Sequence, residues 1–544
     1  MALPDISRFK NNIPAGLTVA VMLVPQGMAY AMLAGLPPVT GLYASTIPLL
    51  AYAIFGTSRE LAIGPVAMVS LLVYAECSKL AEPGSQEYIS LALSLAFMCG
   101  IIQIIFAIAR MGFIINFFSH SVISGFTSAA AIIIMVSQLH HVTGISSRGD
   151  HAVLYRLWDV MKSFKDWHLT TILLSAGSVA ILMFFKKKYK KFPSQLLVAA
   201  SSILIVWLLN LDALGVQIVG KIPSGLPDFT LPGLSLTNLI RLFPSALVIV
   251  FIGFMESIAI ARYIAEKEKY KISPDGELLG LGAANLVASF FSGYPVTGGF
   301  SRTAVNYRAG ATSRLAGVIT SLAVLAAVLF LAGLFRHLPN AVLATIIIVA
   351  VTTLMDFREP VRLYRLKKTD GLAWIVTFLL TLFWGVQQGL VAGVIFSLAV
   401  FIRRSSHPYT AVLGYLEEEK IFRNVERFPE ARTFPGALIL RVDASLYFAN
   451  MGFVEDVIRS EILEKGDVRF IILDLSGVNA MDAEALSRLE KLMSRLEEEN
   501  ISFYYAGMKG AVRDIVSRSR FQEHFKKNSY PSVRLALKNA GFTL

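Results

Sequence analysis

The sequence predicts a polytopic α-helical membrane protein that is followed by a small soluble α/β domain. Of the 544 residues, 55% are apolar and only 16% are charged, whereas soluble globular chains carry about 25% charged residues. Many windows approach the ~20 consecutive apolar residues that cross a bilayer. After about residue 405 the long apolar runs stop and charge accumulates, as in the glutamate triplets at 417–419 and 497–499. We therefore expect a transmembrane domain over residues 1–404 and a soluble domain over 405–544.

Fourteen apolar segments account for the membrane domain. They are residues 13–33, 41–56, 65–78, 88–108, 114–138, 168–185, 194–211, 243–262, 277–292, 297–309, 312–334, 340–354, 368–385 and 387–403. The first segment is long and is not followed by a small-residue cleavage pattern, so we expect no cleavable signal peptide.

Basic residues follow the even-numbered segments, and the opposite loops are acidic, mixed or uncharged, apart from a slightly basic stretch at 140–168. They are Arg59, Arg110, Lys186, Lys187, Lys188, Lys190, Lys191, Arg308, Arg314, Arg358, Arg362, Arg365, Lys367, Lys368, Arg403 and Arg404. Because basic loops stay in the cytoplasm, we expect both termini to be cytoplasmic, in a cell inner or plasma membrane. The lysine run at 186–191 also fits a lipid or nucleic-acid patch, but its place directly after a segment favours the orientation signal. The net charge of +12 therefore predicts no nucleic-acid partner.

The second half of the membrane domain repeats features of the first half at an offset of 230 residues. Adding 230 to Gln26 gives Glu256, and adding 230 to Pro65 gives Pro295. Each polar residue lies in an apolar helix and is followed about 39 residues later by a Pro/Gly break. In transporters, broken helices at matching positions of two halves mark the substrate site, although chance coincidence of Gly and Pro remains the alternative.

Segments three and ten are short, and each begins after a proline. We interpret them as half-helices that start inside the membrane, where irregular backbone is tolerated only if it lines a cavity or is buried in protein. Two facing helix N-termini present free N–H groups and two positive dipole ends. Such an arrangement binds anions.

The soluble domain alternates strands with helices, which predicts an α/β domain built on one sheet. The expected strands are 436–442, 468–475 and 501–506, and the expected helices are 451–463, 483–499, 511–517 and 532–540. Asp482 directly precedes a helix and is expected to be its N-cap. The absence of a phosphate-binding glycine loop or Walker-type lysine from the sequence argues against nucleotide binding.

No set of residues indicates an enzyme or a cofactor. Cys77 and Cys99 lie in apolar surroundings, so we expect small buried residues rather than a disulfide framework or a metal cluster. His120, His140 and His141 do not have metal-ligand spacing in an evident cluster, and core or loop roles are expected for them.

With these residues in view, the chain resembles the SulP anion permeases, which include bacterial and plant sulfate transporters and animal anion exchangers. The matching motifs are LVPQGMAYA at 23–31, GLPPVTGLYAS at 35–45, FGTSR at 55–59, Gly64-Pro65, Glu256-Ser257 and SRTAVN at 301–306. The soluble part resembles a STAS domain through ILDLSGV at 472–478 and Met481-Asp482. The resemblance implies two inverted seven-span repeats divided into core and gate subdomains, a cytoplasmic STAS domain, a homodimer, and elevator-like alternating access.

The resemblance also implies an anion site between the half-helices of segments three and ten, beside segment one. Its residues are Gln26, Tyr30, Val66, Phe300, Ser301 and Arg302. Ser301, the amide of Gln26 and backbone N–H groups would donate to an oxyanion, and the apolar side chains would exclude water and strengthen those bonds. Two alternatives remain: Arg302 as a structural partner for a carboxylate or carbonyl, and Gln26 as a bond to another helix.

Glu256 is the candidate for coupling, since the family associates an acidic residue at this position with cation coupling. We favour protons over sodium, because a lone glutamate lacks an evident oxygen cage, although backbone carbonyls would supply one. A static Glu–Arg pair is the structural alternative. In the STAS domain, Asp482 is followed by Ala483 where phospho-switching relatives carry serine, so we expect no phosphorylation there.

The predicted function is proton-coupled import of a small oxyanion, with sulfate the first candidate. Bicarbonate or a dicarboxylate such as fumarate is the alternative substrate, since all three present negative charge and oxygen acceptors. A passive anion channel or exchanger, or a membrane-tethered regulator acting through the STAS domain, are alternatives of other classes. A titrating acid at Glu256 distinguishes an active transporter from a channel, which needs none.

Overall fold

The structure is a computed structural model that describes residues 6–117, 119–145, 153–189, 193–223 and 225–543. The predicted basic positions Lys190 and Lys191 lie outside these residues. The chain divides into two compact units, Met1–Ser397 and Leu398–Leu544.

The first unit is built of helices. They are α1 (Ile6–Leu33), α2 (Pro38–Tyr43), α3 (Ile47–Phe55), α4 (Ala67–Cys77), α5 (Gln86–Ile108), α6 (His120–Thr143), α7 (Val153–Lys162), α8 (Leu169–Lys188), α9 (Ser194–Leu209), α10 (Leu236–Lys267), α11 (Pro274–Phe290), α12 (Phe300–Arg308), α13 (Leu315–Leu331), α14 (Asn340–Val351), α15 (Glu359–Leu366), α16 (Lys368–Trp384) and α17 (Val386–Ser406), which ends in the second unit. Two short strands, β1 (Ile63–Gly64) and β2 (Thr297–Gly298), precede α4 and α12. Among the described residues, nine helical stretches are long and apolar enough to cross a membrane.

The order of elements in the first nine helices recurs in the last eight. A long helix (α1 or α10) comes first, and a two-residue strand followed by a short helix (β1–α4 or β2–α12) comes later in each half. The first unit is therefore polytopic and α-helical, and each half contains the long helix and the later half-helix that the 230-residue offset predicted.

Several segment boundaries predicted from hydropathy were wrong. Segment two is two helices, α2 and α3, because the chain turns at 44–46. Segment five begins at His120 rather than at 114, because residues 111–117 form a 3₁₀ helix and Ser119 caps α6. Segment ten begins at Phe300 rather than at 297, because 297–298 is a strand. The amphipathic helices α7 and α15, which lie between segments, were not predicted.

The helices of this unit pack in two groups. In the core group α5 packs on α11, α3 on α11, α1 on α12 and α13, and α10 on α4. In the gate group α6 packs on α14 and α16, α14 on α8, and α15 on α16. The helix α1 also contacts α14 and α9, so it lies where the two groups meet.

The second unit is an α/β domain around a six-stranded sheet. Its elements are β3 (Thr410–Leu416), β4 (Ile421–Asn424), β5 (Ala437–Val442), α18 (Met451–Lys465), β6 (Phe470–Asp474), α19 (Ala483–Glu498), β7 (Ser502–Ala506), α20 (Gly510–Val516), α21 (Gln522–Asn528), β8 (Ser529–Tyr530) and α22 (Val533–Asn539). The strand order is β4-β3-β5-β6-β7-β8, with β5 to β8 parallel and β3 and β4 antiparallel.

Alternate residues of β5 enter two separate apolar clusters, Leu438 and Leu440 in one and Ala437 and Ile439 in the other. Both faces of the sheet are therefore covered, as parallel strands require. The three predicted strands and four predicted helices are present within two residues at each end. The strands β3, β4 and β8 and the helix α21 were missed, because the prediction relied on longer apolar runs.

Candidate functional site

The two half-helices begin side by side. Strands β1 and β2 pair antiparallel, with Ile63 opposite Gly298 and Gly64 opposite Thr297, and α4 and α12 start a few residues later. Within the described residues, neither N-cap residue, Val66 or Gly299, caps its helix with a side chain. Apart from the Phe300 N–H, which donates to the Glu256 carboxylate, the first-turn N–H groups of the two helices are available to a ligand, and two positive dipole ends lie near each other.

Polar side chains from α10 and α11 hold the second break in place. The Ser257 and Thr297 hydroxyl oxygens lie 2.7 Å apart, and the Gly298 N–H donates to Ser257 Oγ at 2.8 Å. Asn285 accepts from the Val296 N–H at 2.7 Å and donates to the Val296 carbonyl at 3.0 Å. This backbone is buried, so each bond also satisfies a polar group that water does not reach.

The start of α12 is tied in turn to the chain that leads into β1. The Ala62 N–H donates to Thr303 Oγ1 at 3.0 Å, and Asn306 Nδ2 donates to the Glu60 carbonyl at 2.8 Å. The two half-helices therefore form one hydrogen-bonded unit within the core group.

A cavity of about 940 Å³ lies at this junction. It brings together all seven residues singled out from the sequence, which are Gln26, Tyr30, Val66, Glu256, Phe300, Ser301 and Arg302. They come from α1, the residue before α4, α10 and the first turn of α12. Phe300 is 54% exposed, and both it and Ser301 point their accessible surface at the cavity. Ser301 has no hydrogen-bond partner among the described residues, so its hydroxyl is free to donate.

Arg302 is almost wholly buried, at 1% exposure. Its Nη1 donates to the Pro65 carbonyl at 2.5 Å and lies 3.4 Å from Gln26 Oε1. Its Nε and Nη2 have no acceptor in the part of the chain that the structure describes. The guanidinium thus links the two half-helices, and part of its hydrogen-bonding capacity is unused.

Two glycines make room for the Arg302 side chain. A Cβ at Gly299 would lie 2.9 Å from Arg302 Nη2, and one at Gly64 would lie 3.4 Å from the same atom. Gly64 also has a φ of +145°, a backbone conformation that residues other than glycine rarely adopt. Glycine is therefore needed beside the guanidinium both in β1 and directly after β2.

Gln26 serves as donor and acceptor in this site. Its Nε2 donates to the Tyr30 hydroxyl at 3.0 Å, and its Oε1 faces Arg302. An amide nitrogen carries two hydrogens, so one remains after the bond to Tyr30.

Glu256 contributes a carboxylate to the same cavity. One of its oxygens, Oε2, is buried and has no hydrogen-bond partner among the residues described. Arg302 is its charged neighbour, and the Phe300 N–H donates a hydrogen bond to the carboxylate. A carboxylate with an unsatisfied buried oxygen is costly when ionised and less so when protonated.

The opposite wall of the cavity comes from the gate group and was missed in the sequence. It includes residues of α6, α8, α14 and α15, among them His120, Thr127, Lys186, Glu359 and Arg362. Arg362 Nε donates to Glu359 Oε2 at 2.8 Å, and His120 Nε2 lies 3.4 Å from Glu359 Oε1. His120, expected in a core or loop, therefore lines the cavity. Neither the 230-residue offset nor the family motifs include these residues, so nothing in the sequence indicated that they lie here.

The remaining titratable candidates lie apart from this site. The rings of His140 and His141 lie 3.9 Å apart near the end of α6, and Cys77 and Cys99 are buried thiols. Among the described residues, no group of three His, Cys, Asp or Glu side chains is placed to hold a metal ion.

In the soluble unit, Asp482 is the N-cap of α19, as predicted. Its side chain accepts from the Ala485 N–H at 2.7 Å and from the Phe448 N–H at 3.0 Å. The carboxylate thus joins the start of α19 to the loop before α18, and Ala483 follows it without a hydroxyl.

Comparison with known proteins relates both units to described families. Residues 9–377 match the sulfate permease family and residues 428–536 match the STAS domain. The chain is 38% identical to the chloroplastic sulfate transporter 4.1 of Arabidopsis thaliana over 531 residues, covering 95% of this chain and 77% of that protein. It is 33% identical to the high affinity sulfate transporter 2 of Stylosanthes hamata, covering 95% and 82%.

Solved structures share the fold. The murine Solute Carrier 26 family member A9 anion transporter in the inward-facing state has a TM-score of 0.92 at 26% identity, over 99% of this chain and 92% of that one. The transmembrane domain of a cyanobacterial bicarbonate transporter, BicA, has a TM-score of 0.63 at 23% identity, over 72% of this chain and 98% of that one.

Proposed function

We propose that this chain, which belongs to the sulfate permease family, imports sulfate by secondary active transport coupled to protons. That it is a membrane anion transporter and not an enzyme follows from the family. Sulfate, the proton and the transport cycle are the proposed parts. The observation that carries them is one cavity in which two uncapped half-helices, the Arg302 charge and the Glu256 carboxylate converge.

Sulfate recognition would rest on donors and not on a closed cage of cations. The available donors are the Ser301 hydroxyl, the second hydrogen of the Gln26 amide and the first-turn N–H groups of α4 and α12, except that of Phe300, which Glu256 accepts. Arg302, held beneath them by the Pro65 carbonyl, adds positive charge at short range. Tyr30, Val66 and Phe300 would cover part of a bound anion with apolar surface, which keeps water from it and strengthens these bonds.

Glu256 would carry the coupling proton. In its ionised form the carboxylate repels an anion in the same cavity, and a proton removes that repulsion. Proton and anion then favour each other's binding, which is a reciprocal coupling of free energies. Sodium is disfavoured because Glu256 is the only carboxylate among the seven predicted site residues.

Alternating access would follow from movement of the core group against the gate group, in an elevator-like cycle. Supporting this, the cavity lies between residues of α1, α4, α10 and α12 on one side and of α6, α8, α14 and α15 on the other. It reaches Lys186, Arg308 and Arg362, which belong to the basic ends expected in the cytoplasm. We assign this conformation as inward-facing. Both termini would then be cytoplasmic. We further propose that the protein lies in a cell inner or plasma membrane and forms a homodimer.

Uptake into proteoliposomes tests the substrate and the driving ion together. Labelled sulfate, bicarbonate and fumarate are supplied in turn, each with and without an inward proton gradient and with sodium or potassium as the cation. We expect sulfate to accumulate and only when the proton gradient is present. Accumulation of bicarbonate or fumarate instead would replace the substrate, and a sodium requirement would replace the proton. Flux that never exceeds equilibration would indicate a passive channel or exchanger.

A further inference from the structure

A groove of about 680 Å³ on the surface of α15 combines basic and apolar side chains. It is lined by Phe357, Arg358, Val361, Arg362, Arg365 and Leu366. The helix has eight residues and is about 12 Å long, which is too short to cross a bilayer. Because it connects the apolar helices α14 and α16, we expect it at the boundary of the bilayer.

The helix has one buried face and one exposed face. Glu359 and Leu363, four residues apart, are each 8% exposed and pack against the protein. Val361 and Tyr364 on the other side are 53% and 46% exposed, and Phe357 just before the helix is 55% exposed. Exposed apolar side chains at this spacing need an apolar environment on the outside of the helix.

The charge around the groove is strongly positive. Arg358, Arg365, Lys367 and Lys368 are exposed and form no ion pair with any residue that the structure describes. Of the nearby acids, Glu359 is bound by Arg362. Asp356 accepts from the N–H groups of Arg358 and Glu359, and Asp370 accepts from the Thr369 hydroxyl. The four exposed cations outnumber these two acids and leave net positive charge to meet an anion from outside the chain.

We propose that this groove binds an anionic phospholipid, with its phosphate on Arg358 and Arg365 and its acyl chains against Phe357 and Val361. Guanidinium forks match phosphate oxygens, and a basic helix with an exposed apolar stripe fits an anionic bilayer surface. A free phosphate would use the arginines but would leave the apolar stripe in water. The position at the bilayer edge and the pairing of the two chemistries therefore favour the lipid.

Lipid at this groove would hold the gate side of the anion cavity at the membrane surface. Arg362 lines both the groove and the cavity, and its partner Glu359 contacts His120 of α6. A headgroup in the groove would then be separated from the anion cavity only by Arg362 and its partner Glu359.

Native mass spectrometry of the full chain in detergent tests the proposal with phosphatidylglycerol and phosphatidylcholine as probes. We expect preferential retention of phosphatidylglycerol. The double variant Arg358→Gln/Arg365→Gln should bind it about 30-fold more weakly, on the scale of the attraction of two basic residues to an anionic surface. The matched control Lys526→Gln/Lys527→Gln removes two exposed charges from the soluble unit and should bind like the unaltered protein. Equal retention of both lipids, or an unaffected double variant, would overturn the assignment.

A nitroxide at Val361→Cys places the groove relative to the bilayer without altering any arginine. The native thiols Cys77 and Cys99 are buried, so the label goes to position 361. In vesicles containing phosphatidylglycerol we expect greater accessibility to oxygen than to a soluble nickel chelate. If the label is in water, and inorganic phosphate displaces the lipid at matched concentration, the groove is an anion site and not a lipid site.

Discussion

Replacing Glu256 by Gln should abolish proton-driven accumulation while leaving sulfate exchange intact. Glutamine has the shape of the protonated carboxyl group. Its amide nitrogen would take the place of Oε2, which has no partner among the described residues. The substitution therefore removes a charge and a proton site without creating a new void. Anion binding should persist, because the donors at α4, α12, Gln26 and Ser301 are unchanged.

The size of the effect follows from the number of carboxylates at the half-helix junction. Glu256 is the only one among the seven predicted residues there, so one proton is expected to move with each sulfate. One pH unit is worth about 1.4 kcal/mol per coupled proton, which supports about tenfold accumulation when the membrane potential is clamped at zero. The unaltered protein should approach that ratio, and Glu256→Gln should stay near equilibration.

Two measurements in the same vesicles separate coupling from transport. Net uptake of labelled sulfate is followed with an inward gradient of one pH unit, and counterflow is followed with unlabelled sulfate inside and no gradient. Glu359→Gln is the matched control, because Glu359 is another carboxylate of the same cavity but is already held by Arg362. It should keep the response to the gradient. Gradient-driven accumulation by Glu256→Gln at the level of the unaltered protein would refute the proton role, and loss of counterflow would make Glu256 part of the anion site.

Other substitutions test the rest of the site and the soluble domain. Arg302→Met preserves buried volume but removes the charge, and should weaken sulfate binding about 10- to 100-fold, as measured by equilibrium binding; unchanged affinity in a folded variant would contradict the assignment. Gly299→Ala should also weaken binding, because its Cβ would lie 2.9 Å from the guanidinium, whereas Gly317→Ala, whose Cβ has no described atom within 4 Å, should not. Asp482→Ala should lower the free energy of local opening at α19 by about 1 kcal/mol in hydrogen exchange, with Asp482→Asn recovering most of it; equal protection in both would remove the capping role. A chain ending at Ser406 should keep the dissociation constant for sulfate, and a large selective loss in the folded truncation would count against this.

Hydropathy and proline–glycine punctuation predicted the class of this protein and the two half-helices. Both signals are local, because an apolar window or a helix break is encoded in neighbouring residues. The same locality explains the errors. The turn at 44–46 and the strand at 297–298 are only two or three residues long, which is too short for a hydropathy window to resolve.

The sequence by itself was enough to predict seven residues that line one cavity, since the 230-residue offset and the family motifs both lead to Gln26 and Glu256. Only the tertiary structure decided what those residues meet. The bond from Arg302 to the Pro65 carbonyl spans 237 positions, and the gate wall at His120, Lys186 and Glu359 approaches from other helices. Such contacts depend on how helices pack, and many pairings of buried polar groups are compatible with one pattern of apolar residues.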